Sequence, residues 1–169
     1  MKTLLKIIDT INEYTGRVSR WLCVALVAIL SFEVIMRYVF DSPTNWAHLT
    51  SMMVGGAIIC LGLGYTHLHK SHIRIDVFYA KLSPRRKALI DVVLAVALLF
   101  PLLYAFTSTS YDWMVKSWVT NEIRTESFWY PPAGPFRTAV FVGWVLFSLQ
   151  CIAQFVRDLY YLIRSESYD

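Results

Sequence analysis

Four long stretches of apolar residues, each nearly free of charge, dominate this sequence. They lie at about 18–40, 46–65, 88–106 and 136–156. Each is close to the ~20 residues that a helix needs to cross the ~30 Å hydrocarbon core of a bilayer. Because lipid cannot satisfy ions or free backbone groups, such stretches span it as helices. The pattern predicts an all-α integral membrane protein with four transmembrane helices, forming one membrane domain over residues 1–169.

The composition agrees with this prediction. The 169 residues are 56% hydrophobic and only 17% charged, whereas a soluble domain carries about 25% charged residues. Six charged residues interrupt residues 1–20, and no uninterrupted apolar core is followed by a small-residue cleavage site. We therefore expect the first apolar stretch to remain in the protein.

The basic residues predict an orientation. Of the 16 Lys and Arg residues, 12 lie before the first span, between the second and third, or after the fourth. The positive-inside rule then places both termini and the central loop in the cytoplasm. The formal net charge of +4 thus reads as a topology signal, with membrane lipids rather than nucleic acid as the partner of the basic residues.

Two segments have the amphipathic pattern of interfacial helices. In residues 1–17, apolar and polar side chains fall on opposite helical faces, so this segment could lie on the inner leaflet or run straight into the first span. Residues 73–82 behave similarly, and Ser83-Pro84 reads as the start of the third helix. That helix is expected to kink at Pro101 and to extend to about Val119.

Glu33 and Arg37 are the ionisable residues of the first span that most invite a functional interpretation. Spaced by four, they share a helix face and can pair. Three interpretations stay open, namely a structural pair, a contact with a partner subunit, and direct handling of an ion or substrate. In the second span, Gly56, Cys60 and Gly64 repeat every four residues, which allows close helix packing within the chain or against another subunit.

The stretch from Trp113 to Phe136 is rich in aromatic residues and proline. An aromatic belt at the membrane surface accounts for part of this pattern. The prolines also stiffen the segment, and a fixed aromatic surface is suited to docking a partner. Both interpretations stay open.

The histidines test an enzyme-like alternative, the membrane anchor or cytochrome subunit of a respiratory complex. Haem held by two histidines requires them on different helices at similar depth. His48, His67, His69 and His72 all lie in or just after the second span, which leaves only ligation shared with another subunit. We find no phosphate loop, nucleophile elbow or zinc motif, and the three cysteines fit helix packing. We therefore expect no enzymatic activity, no cofactor and no metal.

Three segments, in register across the chain, resemble the small DctQ-like (Q-type) subunit of tripartite ATP-independent periplasmic (TRAP) transporters. They are Glu33 to Trp46, His72 to Arg86, and Glu126 to Pro135. One departure is the apolar and neutral run Ala47-His48-Leu49, where many family members carry an acidic residue.

The resemblance implies a three-part system for organic acid uptake in the bacterial inner membrane. A periplasmic solute-binding protein captures the solute, and a large multi-span permease carries the transport site and couples it to an ion gradient. The small subunit binds the permease as a scaffold, and its outer face helps to seat the binding protein. The candidate partner-interface residues are Glu33, Arg37, Tyr38, Trp46, Gly56, Gly64, Trp129 and Pro132, and the cytoplasmic family motif is His72, Arg74 and Asp76.

Overall fold

The computed structural model describes residues 2–69, 84–126 and 128–164. Over these residues the chain forms five α-helices and one π-helical turn, Ala95–Leu99, which joins the third helix to the fourth. The α-helices are α1 (Lys2–Tyr38), α2 (Ala47–Leu68), α3 (Pro84–Leu94), α4 (Phe100–Val119) and α5 (Gly134–Arg164). Since α3, the π turn and α4 run on as one rod, four helical segments are long and apolar enough to cross a membrane. The predicted all-α architecture with four spans is confirmed.

Helix α1 is unbroken for 37 residues, so the N-terminal segment runs straight into the first span. Leu5, Asn12 and Ser19 are buried at intervals of seven residues and form the seam that packs on the other helices. Leu4, Ile7, Ile11 and Tyr14 remain exposed on a different face, as expected of an amphipathic segment near a membrane surface. The second predicted interfacial stretch, 73–82, lies outside the described residues.

The third span is irregular where Pro101 predicts it. Proline has no N–H to donate and its ring crowds the carbonyl four residues earlier. A π turn lies just before Pro101, and in it the Phe100 N–H donates a hydrogen bond to the carbonyl of Ala95, five residues earlier. Pro84 is the first residue of α3 as expected, whereas Ser83 lies outside the described residues. Helix α4 continues to Val119, which confirms the predicted extension.

Two belts of polar residues mark the limits of the apolar spans. The basal end of the molecule is the end where α1 begins and α5 finishes, and the opposite end is the apical end. Each span has one polar residue in the basal belt and one in the apical belt, and the two are 20 or 21 positions apart in the sequence. At 1.5 Å per residue this separation is about 30 Å, the thickness of a bilayer hydrocarbon core. The pairs are Arg17 and Arg37, His69 and His48, Asp91 and Asp112, and Asp158 and Arg137.

The helices pack in an open arrangement. Helix α5 lies at the centre, with α2 on one side and α3, the π turn and α4 on the other, while α1 packs mainly on α2 and touches α5. Among the described residues only seven hydrophobic side chains, proline aside, are buried. A closed bundle of this length would bury far more, since each helix would turn a stripe inward. Most apolar side chains therefore face lipid or another protein.

Candidate partner-binding surfaces

Glu33 holds the apical turn, which we define as residues 39–46, between α1 and α2. Its carboxylate accepts hydrogen bonds from Arg37 Nη2 at 2.6 Å and from the Thr44 backbone N–H at 3.2 Å. The Thr44 hydroxyl donates a further bond to the same carboxylate. Asp41 adopts a left-handed backbone conformation, φ 48°, that lets the chain reverse after α1. The partly buried carboxylate thus organises the turn, in line with the interpretation of Glu33 and Arg37 as a structural pair.

The outer side of the same turn presents polar and aromatic groups. The Glu33 side chain is 12% exposed, but its partner Arg37 is 53% exposed, and Tyr38 is 79% exposed. Trp46 stacks on Phe32 with ring centroids 5.9 Å apart, which ties the start of α2 to α1. Arg37 and Tyr38 are therefore exposed to another molecule, whereas Glu33 holds Arg37 through the ion pair and Trp46 packs against α1.

Arg137 anchors the apical loop, which we define as residues 120–133. Its guanidinium donates two hydrogen bonds to the Glu122 carboxylate, at 2.6 and 2.8 Å, and a third to the Trp113 carbonyl at 3.3 Å. The Glu122 carbonyl accepts a bond from the Ala133 N–H at 2.8 Å. This network holds both ends of the loop on the first turn of α5.

Backbone pairing shapes the rest of the apical loop. The Arg124 N–H donates to the Pro131 carbonyl at 2.9 Å, and Ile123 and Pro132 form an isolated antiparallel bridge. Hydrogen bonds from the Arg124 guanidinium hold the pKa of Glu126 below its usual range. Gly134 allows the ring of Trp118 to pack closely, since a Cβ there would lie 2.9 Å from it. The loop is a folded surface rather than a flexible connection.

The two candidates in this loop are Trp129, near its tip, and Pro132, near its base. Trp129 is 38% exposed, between Phe128 at 86% and Tyr130 at 55%, and Pro132 is exposed and forms the bridge with Ile123. The tip therefore offers a compact aromatic surface at the apical end. Its position agrees with both interpretations left open by the sequence, a membrane belt and a docking platform.

The small residues of α2 face the interior of the chain. A Cβ on Gly56 would lie 3.0 Å from the Phe136 ring, and one on Gly64 would overlap the Asn12 side chain. Cys60 approaches Gly143 of α5 so closely that a Cβ on Gly143 would lie 2.5 Å from its backbone. The structure thus places Gly56 and Gly64 at contacts within this chain. Gly55 and Gly62 lie on the open side of α2, where an added Cβ would meet no atom of the described residues within 4 Å.

A buried polar network that we did not predict joins α1 to α5 near the basal end. Asn12 donates to the Gln150 side-chain carbonyl at 2.8 Å, and Gln150 donates to Asp9 at 2.9 Å. Asp9 also pairs with Arg157 at 2.5 Å. Asn12 and Gln150 are each 1% exposed. In the sequence, Asp9 and Asn12 share one helix face, and so do Gln150 and Arg157. This spacing was the sequence signal that could have indicated the network.

The described histidines lie at the two ends of α2. His48 is at the apical start of α2, and His69, at the basal end, contacts Glu13 at 2.7 Å. His67 packs edge-on against Phe147. No group of three or more potential metal ligands occurs within the described residues. The motif residues His72, Arg74 and Asp76 lie outside the described residues.

The structure is that of a multi-pass membrane protein, with four apolar helical segments, polar belts a bilayer apart and folded apical surfaces. A protein-family model, described as "Tripartite ATP-independent periplasmic transporters, DctQ component", matches residues 26–160. The chain belongs to this family, and it is therefore the small membrane subunit of a TRAP transporter and not an enzyme. No curated protein matches the chain.

Family membership has two general consequences. A DctQ component works in association with a large permease and a binding protein, so this chain is one part of a transporter. Its four candidate spans agree with residence in the inner membrane. The match gives no support to the alternative of a respiratory anchor or cytochrome subunit.

Proposed function

We propose that this chain is a scaffold that holds the large permease subunit in the membrane and helps to seat the solute-binding protein for ion-driven uptake of organic acids. The open helix packing carries the proposal. Seven buried hydrophobic side chains, proline aside, in the described residues are few for four spans, so broad helix faces remain open to packing against a second protein. The large subunit is the partner that the family provides.

The distribution of charge supports a scaffold that does not itself carry the transport path. In the sequence, residues 50–66, 92–111 and 138–156 contain no Asp, Glu, Lys or Arg. Ionisable residues inside a membrane commonly mark the path of an ion or a substrate, and here Glu33 and Arg37 are committed to the apical turn. In this proposal the large subunit performs transport, and this chain does not bind the solute.

The proposal includes an orientation. Under the positive-inside rule, the basic residues at the basal end, among them Arg17, Arg20, Arg86 and Arg157, support a cytoplasmic position for that end. The apical turn and the apical loop then face the periplasm, where a soluble binding protein can reach them. Trp129 in the apical loop is the aromatic candidate best placed for such a contact, because aromatic side chains commonly anchor protein interfaces.

Two measurements separate the two parts of the proposal. Scaffolding predicts that the tagged chain co-purifies its large subunit from solubilised membranes, and that Tyr38→Ala or Arg37→Ala weakens this association. Docking predicts that Trp129→Ala or Pro132→Ala lowers uptake at limiting binding protein while co-purification of the large subunit is kept. The expected reduction is about tenfold, since truncating one good aromatic anchor costs about 1–2 kcal/mol or more.

Trp21→Ala is the matched control, because Trp21 is also a highly exposed aromatic residue, at 69%, but lies near the basal end. It should leave the dependence of uptake on binding protein unchanged. If Trp129→Ala and Pro132→Ala both behave like Trp21→Ala, with equal amounts of chain in the membrane, the apical loop takes no part in docking.

A further inference from the structure

The backbone pairing inside the apical loop has an edge that no other segment covers. Two hydrogen bonds join residues 122–124 to residues 131–133, one on each side of the bridge between Ile123 and Pro132. In an antiparallel pair, a residue that lies between two such bonds turns its own N–H and C=O outward. The Ile123 N–H and C=O therefore point away from Pro132, and neither makes a hydrogen bond within the described part of the chain.

The two edges of this pairing differ in what they can bind. Pro131 and Pro132 have no N–H, so the returning side lacks the donors that an added strand needs. Natural sheets commonly block exposed edges in this way. Residues 122–125 contain no proline, and the Ile123 side chain is 52% exposed. One edge is thus closed to a further strand, and the other is open to it.

A groove of about 410 Å³ runs beside the open edge. Ile123 lines one side of it, and the apolar surface opposite comes from Trp113 of α4 and from Phe136 and Val140 of α5. Among the described loop residues, 128–133 take no part in the lining, so the groove follows the open edge and not the returning one. Its volume is in the range of ligand-binding pockets.

The arginines that line the groove are already paired. Arg124 contacts Glu126 at 2.7 Å. Arg137 contacts Glu122 at 2.6 Å. The groove therefore presents the outward backbone groups of Ile123 together with apolar surface. This combination is suited to an extended polypeptide, whose backbone pairs with the edge while its side chains occupy the groove.

The height of the groove selects the partner. Arg137 belongs to the apical polar belt, as does Asp112. The groove reaches Val140 and Ser110, which lie three and two residues further into the spans. This is about 3–5 Å below the belt. A soluble binding protein stays outside the hydrocarbon region, whereas a membrane subunit reaches this depth, and the large permease of the transporter is such a subunit.

We propose that the groove binds an extended periplasmic segment of the large subunit, which adds a strand to the open edge at Ile123. The added strand exchanges two backbone hydrogen bonds with Ile123, and its apolar side chains pack against Trp113, Phe136 and Val140. The inference rests on the proposed function, because it assigns a binding site to the large subunit that this chain holds. It gives the complex an attachment at the membrane surface in addition to the contacts between apolar helix faces.

Hydrogen exchange of single backbone amides tests the pairing in the unaltered full-length chain. The chain is placed in nanodiscs alone, with the large subunit, or with the binding protein. The Ile123 amide should exchange about tenfold more slowly with the large subunit than in the other two samples. Tyr130 provides the reference amide, because it is exposed on the same loop and its N–H has no backbone partner in the described residues. Its exchange should change by less than about twofold.

Two substitutions at one position separate the backbone of Ile123 from its side chain. Ile123→Pro removes the outward N–H without breaking a hydrogen bond of the described chain. Ile123→Ala is the matched control, because it shortens the side chain but keeps the N–H and should keep the slow exchange of that amide. Retention of the large subunit should be about three- to tenfold weaker for Ile123→Pro than for Ile123→Ala, the range of one hydrogen bond. If Ile123→Pro lowers the Tm of the chain alone, the exchange measurement on the unaltered chain decides.

The outcomes separate this site from the scaffold role. Slow exchange at Ile123 in nanodiscs without the large subunit would assign the groove to lipid, and slow exchange with the binding protein would assign it to that protein; either result overturns the proposal. Equal slowing at Tyr130 would show burial of the whole loop without strand pairing and would also overturn it. A large subunit that co-purifies but leaves Ile123 exchange unchanged would remove this site and keep the scaffold role. A large subunit that does not co-purify with the unaltered chain would overturn the scaffold role itself.

Discussion

Close contacts at single glycines set how near the central helices approach each other. Gly143 of α5 faces the backbone of Cys60, where an added Cβ would lie 2.5 Å from the peptide carbon. Backbone atoms cannot rotate away as a flexible side chain can, so the helices themselves would have to separate. Gly55, only five residues from Cys60, has no atom of the described chain within 4 Å of the corresponding position. An added methyl group is thus tolerated at Gly55 on the open side of α2 but not at Gly143, on the face of α5 that packs against α2.

Gly143→Ala should therefore destabilise the protein, whereas Gly55→Ala should not. Overpacking of a tight contact costs roughly 1–3 kcal/mol, and alanine at an open helical position is neutral or slightly stabilising. Thermal unfolding of both purified variants in the same detergent measures the difference as a lower Tm for Gly143→Ala alone. Equal transitions for the two variants would contradict the observed packing of α2 on α5.

Residue-level prediction from the sequence succeeded where partners are close along the chain. The four-residue spacing of Glu33 and Arg37 predicts their ion pair, which the structure contains. Thr44, the third member of that cluster, is 11 residues from Glu33 and meets it only because the apical turn folds back. Such a contact depends on turn geometry, which spacing alone does not determine.

At the scale of helices, the polar network fixes the register of α1 against α5. The contacts of Asp9 and Asn12 on α1 with Gln150 and Arg157 on α5 can form together in only one relative rotation and height of the two helices. The Asn12 side-chain carbonyl, which has no hydrogen-bond partner among the described residues, points at Gly64. Any larger residue at position 64 would exclude Asn12 from this place.

Gln150→Leu removes the hydrogen bond that Gln150 accepts from Asn12 and the one that it donates to Asp9. It should therefore loosen the basal half of α1. Interhelical hydrogen bonds in membrane proteins contribute about 0.6 kcal/mol on average and up to about 1.7 kcal/mol. We expect backbone amides in residues 2–14 to exchange with deuterium about fivefold faster, which corresponds to about 1 kcal/mol. Gln154→Leu is the control, because the Gln154 amide bonds to Asp158 within α5; equal exchange in both variants would refute a register role.

The helices themselves could be predicted from the sequence, but their pairing could not. The helices are predicted by local signals, namely the long apolar runs, Pro84 and the periodic pattern up to Val119. The structure confirms the helices that these signals predict. Hydrophobicity does not specify which helix faces which in lipid, because lipid is as apolar as a leucine side chain. The contact of Asn12 with Gln150, 138 residues away, depends on that pairing and was not predicted.

The described residues form an open arrangement of four apolar spans, with polar belts about 30 Å apart. The proposed orientation can be tested with single cysteines in a chain whose three native cysteines are replaced by alanine. Thr125→Cys in the apical loop should react with a membrane-impermeant maleimide in intact cells. Thr3→Cys, exposed near the start of α1, should react only after permeabilisation. The reverse labelling pattern would invert the topology and remove the apical surfaces from the periplasm.

The central claim is that this chain supports a transporter without transporting solute itself. Reconstitution into liposomes with an imposed ion gradient tests it, with radiolabelled organic acid, binding protein and either this chain alone, the large subunit alone, or both subunits together. We expect uptake only when both membrane subunits are present, and none above empty liposomes with this chain alone. Gradient-dependent uptake by this chain without the large subunit would contradict it.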